Sequence, residues 1–129
     1  MLEAFRRGDY DSALSAYSPD GEYDFTHLAD GRLVRDREGV RSEVTRWAAT
    51  WDGLTMEYEL VGTIGEQVVI VVEQTGTGKG SGAPMEMRYG QVFTVRDGAI
   101  VGMRTHLDPD DALASAGLDQ SKPASEEGA

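Results

Sequence analysis

The period of apolar positions changes several times along this chain, and each change predicts an element. Leu2 and Phe5 share one helical face between Met1 and Arg7, and Gly8-Asp9 interrupts that helix. Tyr10, Ala13, Leu14 and Tyr17 follow at helical spacing, with Asp9 or Asp11 placed to cap them. Ser18-Pro19-Asp20-Gly21 predicts a turn. From Glu22 to His27 the period is two, with Tyr23, Phe25 and His27 on one side and Glu22, Asp24 and Thr26 on the other. That is the pattern of a half-buried strand.

Residues 28–35 are polar and irregular, and Asp36 can cap the next helix. In it Val40, Val44, Trp47, Ala48 and Trp51 make one apolar stripe, which Asp52-Gly53 ends. Two Trp side chains on one stripe need a large surface to pack against. From Leu54 onward the period returns to two: Met56, Tyr58 and Leu60 alternate with Thr55, Glu57 and Glu59. The continuous run Val68–Val72 suits a strand covered on both faces. Gly76–Pro84 is a glycine-rich connection, and two further strands, Met85–Val95 and Ala99–Leu107, flank Arg96-Asp97-Gly98, a hairpin signal. Asp108-Pro109-Asp110-Asp111 opens a last short helix, with a cap, a proline at the first position and acids facing the dipole; Gly117 closes it.

Helices followed by a meander of long strands predict an α+β fold, with the helices on one face of a strongly curved antiparallel sheet. Such a sheet wrapped around one long helix leaves a cavity at its open end. At 129 residues the chain fits one domain, residues 1–118, followed by a disordered polar tail at 119–129.

Charge and composition narrow the function. The formal net charge of −11 opposes binding to phosphate backbones and anionic lipid, which need clustered Lys and Arg. Cys is absent, which removes disulfides and zinc–thiolate sites, and two His make a multi-His metal site improbable. No metal or cofactor is therefore expected. No apolar run reaches membrane-spanning length and Met1-Leu2-Glu3-Ala4 does not open a signal peptide, so a cytoplasmic location is expected. Gly76-Thr77-Gly78-Lys79-Gly80-Ser81-Gly82 imitates a phosphate loop only superficially. Glu73 stands where the first Walker glycine is required, Gly80 follows Lys79 in place of Ser or Thr, and no helix comes next.

The element order and several strings resemble the nuclear transport factor 2-like superfold, and within it the SnoaL-like relatives of polyketide cyclases. The strings are Arg7-Gly8-Asp9-Tyr10, Asp36-Arg37-Glu38-Gly39-Val40, Arg96-Asp97-Gly98-Ala99-Ile100-Val101, and Leu107-Asp108-Pro109 with Ala112-Leu113 and Ala116-Gly117-Leu118. The resemblance implies a cone-shaped α+β barrel around a ligand pocket, but not one activity, since this superfold hosts isomerases, cyclases, hydrolases and binders. It also implies a longer first helix than residues 1–7 supply. A ketosteroid-isomerase relative would carry acids where this chain has Phe25 and Gln91, so that route to dienolate chemistry is not expected.

The helix-facing side of the sheet is expected to show Phe25, His27, Met56, Tyr58, Leu60, Met87, Tyr89, Gln91, Phe93, Met103, Thr105 and Leu107. Mostly apolar walls with a few polar tips are the usual make-up of a small-molecule pocket. Met56, Leu60, Phe93 and Leu107 read as core. Tyr17, Phe25, Trp47, Trp51, Tyr58, Met87, Tyr89, Gln91 and Met103 are the candidate ligand-binding residues. His27, near Asp24, is the candidate general base; the alternative is a histidine reaching solvent at the strand end. Asp24 and Glu73 have the parity of outward positions, where an ion pair with Arg88 or Arg104 is open to them. His106 reads as a surface or interface residue. Two functions follow. One is binding of a small apolar, cyclic molecule, with acid/base chemistry as an enzyme on one branch; the other is a non-catalytic domain that dimerises or docks a partner. A homodimer is expected through the convex sheet face, where Glu86, Arg88, Arg104 and His106 accompany Val92 and Thr94.

The segment after Leu118 holds no apolar side chain larger than Ala or Pro beyond Leu118 itself. A chain cut after Leu118 is therefore expected to keep its melting temperature; a drop of several degrees in a thermal melt would show that the segment docks.

Overall fold

A computed structural model describes residues 2–28 and 31–117; the expected tail at 119–129 lies outside the described residues. The elements run α1 (Leu2–Arg6), α2 (Tyr10–Leu14), β1 (Tyr17–Asp24), β2 (Leu33–Val34), α3 (Arg37–Thr50), β3 (Trp51–Ile64), β4 (Gln67–Gly78), β5 (Pro84–Arg96), β6 (Ala99–His106) and α4 (Pro109–Ser115). One six-stranded sheet has the order β2-β1-β6-β5-β4-β3. Every pairing is antiparallel except β1 with β6, which is parallel and corrects the expectation of a wholly antiparallel sheet.

The sheet is curved and open. Four strand spacings separate β1 from β3, about 19 Å if flat, yet α3 touches both strands. Curvature of the sheet around the helix brings both strands within its reach. The wrap is a cone with two free edges, β2 and β3, and does not close into a barrel.

Local chemistry fixes the element ends where the sequence signals them. The Asp36 carboxylate accepts from the Gly39 amide at 2.7 Å and caps α3. Asp108 accepts from the Asp110 amide at 2.9 Å and caps α4, with Pro109 in its first turn. Asp97 and Gly98 adopt φ of 53° and 80°, the pair of positive values that a two-residue hairpin turn requires.

β4 is buried on both faces, as its unbroken apolar run predicts. Ile70 and Val72 belong to the main core under α3, whereas Val69 packs with Val92, Ala112, Leu113 and Ala116. That second cluster places α4 on the opposite face of the sheet from α3. The expectation of helices on one face therefore fails for α4, and Val92, expected on a free convex face, lies beneath it. Gly90 permits the contact: a Cβ there would meet the Ala112 Cβ at 2.4 Å.

Two further departures concern β1 and β3. Ser18-Pro19-Asp20-Gly21 bulges out of β1 without ending it, because Tyr17 pairs with Ile100 while Glu22 already pairs with Gly102. The Tyr23 hydroxyl donates toward the Ser18 carbonyl at 2.5 Å and the Ile100 carbonyl at 2.9 Å, tying the bulge down. Leu60 and Leu107, expected in the core, are 60% and 64% exposed. Leu60 lies on an edge strand at an irregularity between Leu60 and Gly62, and Leu107 has already left β6.

Gly90→Ala is expected to cost about 1–3 kcal/mol, because α4 must lift off β5 to admit the methyl group. Denaturant melts check it; an unchanged midpoint would mean that the helix contact is loose.

Candidate functional site

A chamber of about 360 Å³ lies among α1, α2, α3 and the concave sheet face. The strand period dictates its walls: Met56 on β3, Gln74 on β4, Tyr89, Gln91 and Phe93 on β5 and Met103 on β6 all line it. Val44, Trp47 and Ala48 of α3 form the opposing wall, and Leu2, Phe5, Arg6, Arg7, Gly8 and Tyr10 contribute from the two short helices and their junction.

Of the residues singled out from the sequence, Tyr17, Phe25, His27, Trp47, Tyr89, Gln91 and Met103 come together around this space. Trp51, Tyr58 and Met87 do not line it. The backbone at Trp51 is extended, with φ −123° and ψ 144°, so Trp51 begins β3 and is not part of the α3 stripe. Its ring packs edge-on against Trp47 with centroids 5.2 Å apart, and its Cβ lies beside Gly76. The Tyr58 hydroxyl donates to Glu3 at 2.5 Å, holding α1 to β3. Met87 pairs across from Gln74 and is half-buried at the margin of the core. Met56 and Phe93, read as plain core, are chamber walls.

Gln74 is a buried polar lining residue that the sequence reading missed. It shares the parity of Ile70 and Val72, a signal available in the sequence but hidden by the end of the apolar run. Buried Gln74 accepts the Trp47 indole N–H at 2.8 Å and donates its own N–H to the Tyr89 hydroxyl at 2.6 Å. Glu43 was missed likewise, although it sits three residues after Val40 and four before Trp47 on the buried face of α3. Only 1% exposed, it accepts from the Arg32 amide at 2.6 Å and pairs with Arg46 at 3.4 Å. It does not line the chamber.

His27 lies on the turn just past β1 and not within the strand, since pairing ends at Asp24. Its ring is 4.7 Å from that of Tyr89 and stacks with Phe25 at 6.4 Å. Its Nδ1 is buried without a hydrogen-bond partner. Burial drives its pKa down to about 4, against the weaker opposing pull of the Asp24 charge. At neutral pH the imidazole is therefore uncharged. Asp24 turns its carboxylate to the Thr26 amide and hydroxyl, at 2.9 and 2.6 Å. Glu73 pairs with Arg88 at 3.3 Å on the outer face.

No Asp or Glu is present among the described lining residues. Burial pushes both the Tyr17 and the Tyr89 hydroxyls far above the ordinary phenol range, so both keep their protons. Gln91 donates to Thr105 at 3.3 Å and lies 3.5 Å from the Met103 sulfur. Arg6 at the rim is shared between Glu3 and Glu57, at 3.4 and 3.3 Å. Among the described residues no cluster of three or more His, Asp or Glu is arranged to hold a metal ion, and no helix is long and apolar enough to cross a membrane. The site offers an apolar space, neutral hydrogen-bonding tips, one uncharged base, and two arginines, Arg6 and Arg7, on the side of α1.

Comparison with known proteins places this geometry. The model of the SnoaL-like domain family matches residues 1–103. A Catenulispora acidiphila protein with a ketosteroid isomerase-like fold, solved in complex with trimethylamine, superposes with a TM-score of 0.70 at 19% identity, over 93% of this chain and 91% of that one. TerC, co-crystallised with polyporic acid, gives 0.69 at 19% identity over 88% and 89% of the two chains. IdmH of Streptomyces antibioticus, a candidate polyketide cyclase, gives 0.68 at 27% identity over 90% and 92%. The comparison with curated proteins returns no match.

The depressed pKa of His27 has a sign that can be tested. Between about pH 4 and the ordinary value of 6.5 the unfolded chain binds a proton that the folded chain refuses. Stability therefore rises with pH across that window and falls as acid is added. Relative to His27→Gln, the unsubstituted chain is expected to lose about 1–2 kcal/mol between pH 7 and pH 4, after allowing for partial solvent screening. Urea melts at both pH values measure it, and parallel losses in the two proteins would show that His27 is not desolvated.

Proposed function

We propose that this chain, which belongs to the SnoaL-like domain family, binds a small, largely apolar organic molecule in the chamber and moves a proton of it through His27. The observation that carries the reading is an unfilled space of about 360 Å³ with mostly apolar walls, lined in part by His27, whose Nδ1 is buried without a hydrogen-bond partner. A buried polar atom without a partner is costly in a finished core, and a modest turn of the His27 ring toward a bound ligand would supply the missing hydrogen bond. Ligands in the structural neighbours, trimethylamine and polyporic acid, support occupancy by small organic molecules here. IdmH, a candidate polyketide cyclase, supports the same reading.

The rival, a non-catalytic docking domain, calls for a chamber closed by side chains and an apolar outer face. The chamber is open, and the outer face carries Glu57, Glu73, Glu86 and Arg88 beside the strip that α4 covers. Dimerisation remains part of the proposal. Glu73 and Arg88 lie adjacent and exposed, so a two-fold axis over this face sets opposite charges against each other. Light scattering is expected to show a dimer at micromolar concentration that 0.5 M salt weakens, and a monomer under all conditions would refute it.

A neutral imidazole of low pKa is a weak base, suited to a proton already acidified by an adjacent carbonyl. α-Tetralone supplies such a C–H. Its exchange in deuterated buffer, followed by proton NMR, is expected to be faster with the protein than without it. His27→Ala should lower that rate roughly a hundredfold while leaving the affinity within a few-fold. Exchange equal in both proteins would remove His27 from the chemistry.

A further inference from the structure

The hydrogen-bond chain through Trp47, Gln74 and Tyr89 has a direction. An indole N–H can only donate, so the Gln74 carbonyl oxygen must face Trp47, at 2.8 Å. The Gln74 amide nitrogen then faces Tyr89 and donates to its oxygen at 2.6 Å. With one side of the phenol oxygen taken as acceptor, the Tyr89 proton must leave by the other. It does not end on His27, whose Nδ1 has no partner, and no bond donated by Tyr89 occurs among the described residues. Yet Tyr89 is buried, lines the chamber and stands with its ring 4.7 Å from that of His27.

We infer that Gln74 is a positioning residue that aims the Tyr89 hydroxyl proton into the chamber, so that the site selects ligands carrying a carbonyl or enolate oxygen. The inference rests on the reading of the chamber as a ligand site and names the ligand chemistry it takes. Trp47 fixes Gln74, Gln74 fixes Tyr89, and Tyr89 supplies the contact. A donor held in place before the ligand arrives loses no rotational freedom on binding, and it meets charge that builds on a carbonyl oxygen when the adjacent carbon gives up a proton. The same geometry leaves His27 beside the donor to receive that proton. Burial keeps Tyr89 protonated throughout the neutral range, so the donor is always present.

The test compares α-tetralone with tetralin, the same bicyclic frame without the oxygen, by quenching of tryptophan fluorescence. The unsubstituted protein is expected to prefer the ketone by about tenfold, the worth of one well-placed hydrogen bond. Tyr89→Phe should abolish the preference and leave tetralin affinity unchanged. Gln74→Glu is the decisive variant, since an ionised carboxylate accepts from both Trp47 and Tyr89 and turns the phenol proton away from the ligand. Its ketone preference should vanish as the introduced carboxyl ionises between pH 6 and pH 9, while the unsubstituted protein stays flat over that range. The bound carbonyl stretch, read by infrared spectroscopy, should move to higher frequency in step. Equal affinity for both probes in every protein would overturn the inference and leave the ligand-site reading standing. Binding of neither probe would overturn both. A preference that survives in Gln74→Glu at high pH would show that Tyr89 orients itself without Gln74.

Discussion

A space left open inside a small domain costs packing on every wall, so the wall must be held from behind. Here the hold is the hydrogen-bond chain from Trp47 on α3 through Gln74 on β4 to Tyr89 on β5. Trp47 has an N–H that burial would orphan, and β4 answers it with an amide side chain at a position where Ile70 and Val72 are apolar. Removing any one link leaves a buried donor or acceptor unmet, at about 1–3 kcal/mol. The chain also sets a distance: α3 can neither collapse onto the sheet nor drift from it without breaking a short bond. Gln74 thus stands at the chamber wall as a polar link between α3 and the sheet.

The wrap that makes the chamber depends in turn on β4 having two covered faces. Val69 meets α4 while Ile70 and Val72 meet the α3 side, so the strand is clamped between layers. Gly90 on β5 lets α4 press close to the outer face. The sheet is stiff at its centre, while the edges differ. β3 is long and tied by Tyr58 and Arg6 to α1, and β2 spans only two residues.

The sequence made most of the fold legible because its signals are local. Asp36, Asp108 and Asp97-Gly98 act through bonds to neighbours one to three residues away, and each does in the structure what its position predicts. The parallel pairing of β1 with β6 was not legible, since it joins residues about eighty positions apart by backbone bonds alone. Trp51 was misread for a related reason: at a helix–strand junction a residue fits both periods, and only the backbone angle decides. Of the site, the apolar positions followed from strand parity, and Tyr17, Phe25, Trp47, Tyr89, Gln91 and Met103 do face one another across the chamber. Gln74 and Glu43 were hidden because a polar residue at a core parity reads as the end of a pattern. Such a residue is informative only once its partner is known, and the partners lie on other elements.

The way the chamber treats His27 shows how it would treat a ligand. The chain carries a formal charge of −11, a field that favours a proton on any histidine, and Asp24 adds to that pull. Desolvation nevertheless wins and brings the pKa down to about 4. The walls therefore penalise a buried cation more strongly than the nearby Asp24 carboxylate rewards it. The same penalty falls on a charged group of either sign that enters without a partner, because it arises from lost hydration and not from the sign of the field. On the proposed reading, a ligand away from Arg6 and Arg7 would be best accommodated neutral, with its polar atoms matched to uncharged tips such as His27, Tyr89 and Gln91. Charge is tolerated where a donor already waits for it. In the proposed reading a negative oxygen beside Tyr89 would meet that condition, and a proton held on His27 would be stabilised only while that oxygen remained.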